Sequence, residues 1–165
     1  MQIPQDLIDD LLTFMRNDYE YSLWYRQACD GLHLMGWKGF YRYMHNISHD
    51  HRHYAHMVAR YLTERGVLAQ WSPIGFDNPP SGGDPVACFK AYADKEQEWA
   101  DEVNALYEKA EDAEDEQTCE FLDCFLKKAT KVVAKARYKE MQISRVAGDM
   151  AGLQFLDAKW KEKRA

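Results

Sequence analysis

At 165 residues, with 46% hydrophobic and 29% charged side chains, the chain is long enough for one core and too apolar to stay disordered. A formal net charge of -6 without a Lys/Arg stripe argues against nucleic acid as a partner. No apolar run approaches the ~20 residues needed to cross a bilayer, which argues against a membrane role.

The start, Met1 to Asp6, lacks the basic flank and hydrophobic run of a secretory signal, so a cytoplasmic protein is expected. Cys29, Cys88, Cys119 and Cys124 include no CxxC pair and are read as reduced thiols.

Proline and glycine punctuate the chain sharply. A first helix is predicted over about 5–33, broken at Gly36-Trp37-Lys38-Gly39. A second runs over about 39–65 and is closed by Gly66. The stretch Ala69 to Pro85 then gathers turn residues as nowhere else. Asp84-Pro85 is a cap and first-turn pair for a third helix over about 85–113. An acidic turn, Glu111 to Glu116, leads to a fourth over about 116–147, and a short fifth holds Leu153, Phe155, Leu156 and Trp160 over about 151–162.

The long connection points to the topology. A helix of ~27 residues is ~40 Å long, and ~19 extended residues reach up to ~60 Å. One such crossover between two short-turned hairpins makes the second and third helices parallel. The expected fold is therefore all-α, a four-helix bundle with a long crossover and a short fifth helix, in a single domain over 1–165. An up-down bundle with a functional loop is the alternative.

Each apolar stripe is interrupted near mid-length. Asp18 falls among Ile8, Leu11, Met15, Ser22, Tyr25 and Cys29; His51 falls among Phe40, Met44, Ile47, Tyr54, Val58 and Leu62. Glu96 falls among Phe89, Ala93, Trp99, Val103 and Leu106, and Lys128 and Lys131 flank Leu122, Phe125, Ala129, Val132 and Ala136. From the top of the bundle Asp18 lies ~22 Å down, His51 ~18 Å and Glu96 ~16 Å, with Lys131 at about the same level. Buried charge needs a partner. Either Asp18, His51 and Glu96 are a remnant metal site, or Lys128 or Lys131 supplies the positive charge and closes a salt-bridge layer.

Five of the six histidines fall between His45 and His56. His45, His49, His53 and His56 follow one line at helical spacing, off the apolar stripe. Two imidazoles four residues apart can grip one metal ion; the alternative is a solvated polar face. Asp50-x-x-His53 is the carboxylate-x-x-His pair of this helix.

These residues carry a resemblance to the ferritin family. Ser48-His49-Asp50-His51-Arg52-His53-Tyr54-Ala55 resembles its second-helix motif S-x-E-E-R-E-H-A, and Tyr61 to Gly66 resembles its Y-L-x-x-R-G helix end. Tyr21-Ser22-Leu23-Trp24-Tyr25, Cys119-Glu120-Phe121-Leu122, Gly152-Leu153 and Phe155-Leu156 are similar to segments of its first, fourth and fifth helices. Carried over, the first-helix glutamate of the iron-oxidising centre falls on Asp18, with Tyr25 as anchor and Glu20 as the off-register alternative. The bridging glutamate falls on His51, the histidine on Tyr54, and the third-helix glutamate is kept as Glu96. The fourth-helix positions fall near Lys128, Ala129 and Lys131. The cavity-wall glutamates correspond to Asp50, His53 and His56, which would place the histidine line on the inner wall. Haem is not expected, because Arg52 stands where a methionine ligand would be needed.

The resemblance implies a homo-oligomeric hollow cage of about 24 subunits, a closed symmetric assembly. It would store or sequester intracellular iron with weak or absent ferroxidase activity, oxidation falling to a co-assembled active ferritin subunit or to slow surface chemistry. The rivals are a non-iron structural scaffold and a variant di-metal oxidase using Asp18, His51, Tyr54 and Glu96.

Overall fold

Helix α1 spans Gln5–Leu34, α2 Lys38–Glu64, α3 Pro85–Asp112, α4 Glu116–Ser144 and α5 Met150–Glu162. These elements come from a computed structural model of the chain, which describes residues 2–72, 75 and 83–162. No strand occurs among the described residues.

Local chemistry sets most of the boundaries. The Asp84 side chain accepts from the Val86 N–H at 3.1 Å, and Pro85 supplies a first-turn residue that needs no N–H partner. At the end of α2, Gly66 takes φ 79°, the Gly66 N–H donates to the Thr63 carbonyl, and Val67 donates back to Leu62 at 2.8 Å. The chain reverses the end of α3 in the same way, but with Glu114 at φ 53°. Helix α4 stops at Ser144, short of the expected 147. Its last turn tightens there: Val146 and Ala147 donate to the Ile143 and Ser144 carbonyls three residues back. The expected break at 36–39 is shorter than predicted, because Gly39 already lies within α2. A Cβ on Gly39 would stand 1.9 Å from the Asp157 carbonyl oxygen, so its lack of a side chain lets α5 rest on the start of α2.

Helices α1 and α2 form one antiparallel hairpin, and α3 and α4 a second. The orientation of the hairpins follows from their ends. Phe40, near the start of α2, meets Phe89, near the start of α3, at 5.6 Å between ring centroids. At the other end, Arg65 after α2 pairs with Asp115, which caps α4, at 3.2 Å, and the Tyr61 hydroxyl bonds to the Thr118 hydroxyl at 2.8 Å. Helices α2 and α3 are therefore parallel, and the chain between them must travel the length of the bundle. Trp71 packs against Tyr19 halfway along α1, and Gly83 lies against Gly31 near its end. The remaining turn-rich residues, 73–74 and 76–82, lie outside the described residues.

Between the hairpins the core is aromatic. Phe40, Phe89, Tyr43 and Trp160 pack together at one end, where α5 closes the bundle. Phe14, Tyr54, Trp99 and Phe125 fill the middle. No helix among the described residues is long and apolar enough to cross a membrane.

Glu114 holds a left-handed backbone that suits glycine, and its side chain is exposed. Substituting Glu114→Gly is expected to raise the unfolding free energy by about 1 kcal/mol, read as a higher urea midpoint; an unchanged midpoint would contradict the strain.

Candidate functional site

The polar interruptions of α1, α2 and α3 meet in one layer. Asp18, His51 and Glu96 are all but inaccessible, at 0%, 1% and 1% exposure. His51 Nδ1 lies 2.8 Å from Asp18 Oδ1, and His51 Nε2 lies 2.7 Å from Glu96 Oε1. One imidazole thus joins carboxylates from two other helices. The Tyr25 hydroxyl donates to the same Glu96 oxygen at 2.7 Å.

Two imidazole-to-carboxylate bonds require two protons between three groups. Either the ring carries both as imidazolium, or one carboxyl keeps one; the layer has a net charge of minus one in both cases. Burial alone would lower His51, but the Glu96 and Asp18 carboxylates outweigh it and hold the imidazole up at about 10. Burial pushes Asp18 up to about 7, with the bond and charge of His51 pulling it back. The upward shift at His51 favours the imidazolium form of the ring. Burial, and then the Glu96 charge, also push the Tyr25 hydroxyl well up, so it stays a donor.

Aromatic rings seal the layer. Tyr25 lies 5.3 Å from the His51 ring, Tyr54 5.5 Å and Trp99 5.7 Å, and Tyr54 stacks on Trp99 at 5.2 Å. Asp18 Oδ2 and Trp99 Nε1 are buried and make no hydrogen bond to protein.

The structure corrects the expected lysine partner. Lys128 and Lys131 are both exposed; Lys128 Nζ sits 5.2 Å over the Tyr54 ring and Lys131 turns outward. The inward arc of α4 is Leu122, Phe125, Ala129 and Ala136, and neither lysine falls on it. The cation of the layer is His51 itself. Glu20, the off-register alternative, also lies outside the layer, in a polar cleft of about 420 Å³ that Tyr21, Lys95, Glu98 and Glu102 also line. In that cleft the Tyr21 hydroxyl donates to Glu102 at 2.8 Å, a link the stripe pattern did not reveal, although Tyr21 sits one turn from Asp18 and Tyr25.

The helix-face histidines are arranged differently. His49, Asp50, His53 and His56 are exposed. His56 turns toward Tyr19 and Trp71, at 6.3 and 5.9 Å. Asp50 faces the other way, lining with Lys135, His51 and Glu96 a cavity of about 60 Å³. His49 Nε2 approaches His45 Nε2 to 3.3 Å. No three His, Cys, Asp or Glu side chains among the described residues gather as a metal-ligand set. The donor chemistry at the buried layer fits a metal pair poorly, because both imidazole nitrogens are spent on carboxylates and Tyr54 offers no imidazole.

Two antiparallel hairpins joined by a full-length crossover, with a polar layer at mid-height and a short helix closing one end, define a ferritin-like four-helix bundle. The family model described as the Ferritin-like domain matches residues 8–143, and the chain belongs to that family. Among solved structures, the fold is similar to an open-pore ferritin from the hyperthermophilic archaeon Archaeoglobus fulgidus, with a TM-score of 0.93 and 19% identity over 99% of this chain and 100% of that one. It is also similar to an engineered closed form of the Archaeoglobus fulgidus ferritin (0.91, 20%, covering 99% of each chain). A ferritin from the green alga Ulva pertusa matches at 0.87 and 21% identity, over 98% of this chain and 87% of that one. No curated protein matches the chain significantly.

A raised histidine pKa stabilises the fold fully below the ordinary value of 6.5, and that contribution is lost as pH climbs through about 10. The raised Asp18 carboxyl acts in the same direction from 3.8 up to about 7. Folding should therefore take up nearly one proton on the alkaline side, with stability falling by up to ~1.4 kcal/mol per pH unit. Urea denaturation between pH 6.5 and 10 measures that slope. His51→Gln should flatten it and, by leaving two facing carboxylates without their cation, destabilise the fold by about 3–5 kcal/mol.

Proposed function

We propose that this chain is a shell-building subunit of a cytoplasmic, hollow homo-oligomer that sequesters iron as cargo and does not oxidise it at a mid-bundle centre. One observation carries this reading: the His51 imidazole fills the space between Asp18 and Glu96, with both nitrogens bonded to them. A two-metal centre needs bridging donors with free lone pairs, holding ions within ~4 Å of each other. Here the middle of the layer presents N–H donors and a positive charge, which a cation could enter only by displacing a proton and breaking both bonds. In the homo-oligomer, iron oxidation is therefore left to slow chemistry at surface donors such as His49, Asp50, His53 and His56, and in a mixed shell it would fall to a co-assembled active subunit.

A second reading, a scaffold that has given up iron, is favoured by a different observation. The wall donors do not gather in threes among the described residues, and Asp50 shares its cavity with the Lys135 ammonium. Aerobic addition of ferrous iron to the purified protein separates the readings. The expected result is oxidation no faster than in buffer, with iron retained by the assembly through size-exclusion chromatography. Failure to retain iron would leave the scaffold. A fast stoichiometric oxidation, or anomalous density for two ions at Asp18, His51 and Glu96, would overturn both and revive the di-metal oxidase.

A further inference from the structure

His45 and His49 stand one turn apart on α2, with ring centroids 4.5 Å apart, planes at 79° and Nε2 atoms at 3.3 Å. With one ring as the Nε2–H tautomer the contact is an N–H···N hydrogen bond. The separation also falls within the ~3.0–3.4 Å between two imidazole nitrogens that share one cation at ~2.0–2.1 Å each. Two nitrogen lone pairs converging this closely repel unless a proton or a metal ion lies between them.

The pair is half fixed and half free. His45 is partly buried and stacks on Tyr41 at 5.6 Å and 28°, and Tyr41 in turn packs on His33 at 4.8 Å. His49 is exposed and borders a cleft of about 250 Å³, walled by Ser22, Leu23, Arg26, Ser48 and Arg52. Burial, and then the neighbouring His49 and Arg26, hold His45 below its ordinary value. Arg26 opposes a cation, but it is paired with Asp30 at 3.4 Å, and Asp30 acts on His45 in the opposite sense.

We propose that His45 and His49 form a two-nitrogen chelating site for a borderline divalent transition cation, with water completing the coordination. Neutral imidazole suits copper, nickel and zinc, and among these divalent ions copper binds most tightly in such a site. Ferric iron, which prefers oxygen donors, is a poor match. The site is separate from the buried layer, where His51 has no nitrogen left to give.

The test is titration of the purified full-length protein with Cu2+, and separately with Ni2+, followed by calorimetry. The wild type should bind one equivalent per chain. His45→Asn and His49→Asn should each weaken binding by at least about tenfold, and the double variant should abolish binding at this site. His53→Asn, on the same helix, should leave binding unchanged. The copper EPR spectrum should carry coupling to two nitrogens in the wild type and fewer in the variants. Thermal melts of each variant confirm that the fold survives. Unchanged affinity in His45→Asn or His49→Asn, or an equal loss in His53→Asn, would overturn the proposal. None of these variants touches Asp18, His51 or Glu96, and because His49 and His53 are also candidate surface donors for iron, the titration is run without iron and its readout does not depend on whether iron is retained.

Discussion

Two carboxylates in a dry layer of a helical bundle repel each other, and each alone would be driven to protonate. Asp18 and Glu96 coexist because His51 lies between them and offers a donor to each. Imidazole suits the position because it carries two opposed nitrogens on a flat ring that fits between Tyr25, Tyr54 and Trp99. The bonds tie α1, α2 and α3 together at one height. Helix α4 brings only apolar atoms to its inward arc near this level, from Phe125 and Ala129. The aromatic wall covers most of the layer, which strengthens the pairing and would make its loss expensive.

That layer exists only because α2 and α3 run parallel. Had the chain turned back after Gly66, α3 would run the other way, and Glu96 would face α2 with its neighbours reversed along the bundle axis. The Arg65–Asp115 pair and the Tyr61–Thr118 bond pin the far ends of both hairpins, while Phe40, Phe89 and Trp160 pin the near ends. The crossover is thus constrained at both landings, and Trp71 attaches its first part to α1.

Much of this was legible in the sequence, for identifiable reasons. Gly66 and the Asp84-Pro85 pair mark helix ends by backbone chemistry that depends little on tertiary context, and four of the five helices lie within a residue of their expected bounds. The meeting of Asp18, His51 and Glu96 followed from spacing plus one topological inference. What failed was side-chain direction. Lys128 and Lys131 flank an apolar stripe, and spacing cannot say to which side a long flexible side chain turns; the layer already had its cation, so both remain in water. The breadth of the inward face was also underestimated on α1. Leu7, Phe14, Trp24 and Leu32 are buried while Ile8 is only partly so, because this helix touches α2, α3 and the crossover rather than one neighbour. The split of the histidine line was invisible for a similar reason: whether two imidazoles four residues apart meet depends on what stacks behind them, here Tyr41 and His33.

The seat of α5 leaves little tolerance. Asp157 takes the Phe40 N–H through its side chain at 2.8 Å, while its carbonyl rests against the bare Cα of Gly39. The helix is held by rotation as well as by depth, and the short turn from Arg145 to Asp149 sets that rotation. Adding or removing one residue in the turn would swing α5 by about 100° about its own axis. Trp160 would leave the aromatic cap, and the exposed Phe155 would be brought toward the bundle in its place. The length of that turn is therefore as much a part of the specification of the closed end as any side chain in it.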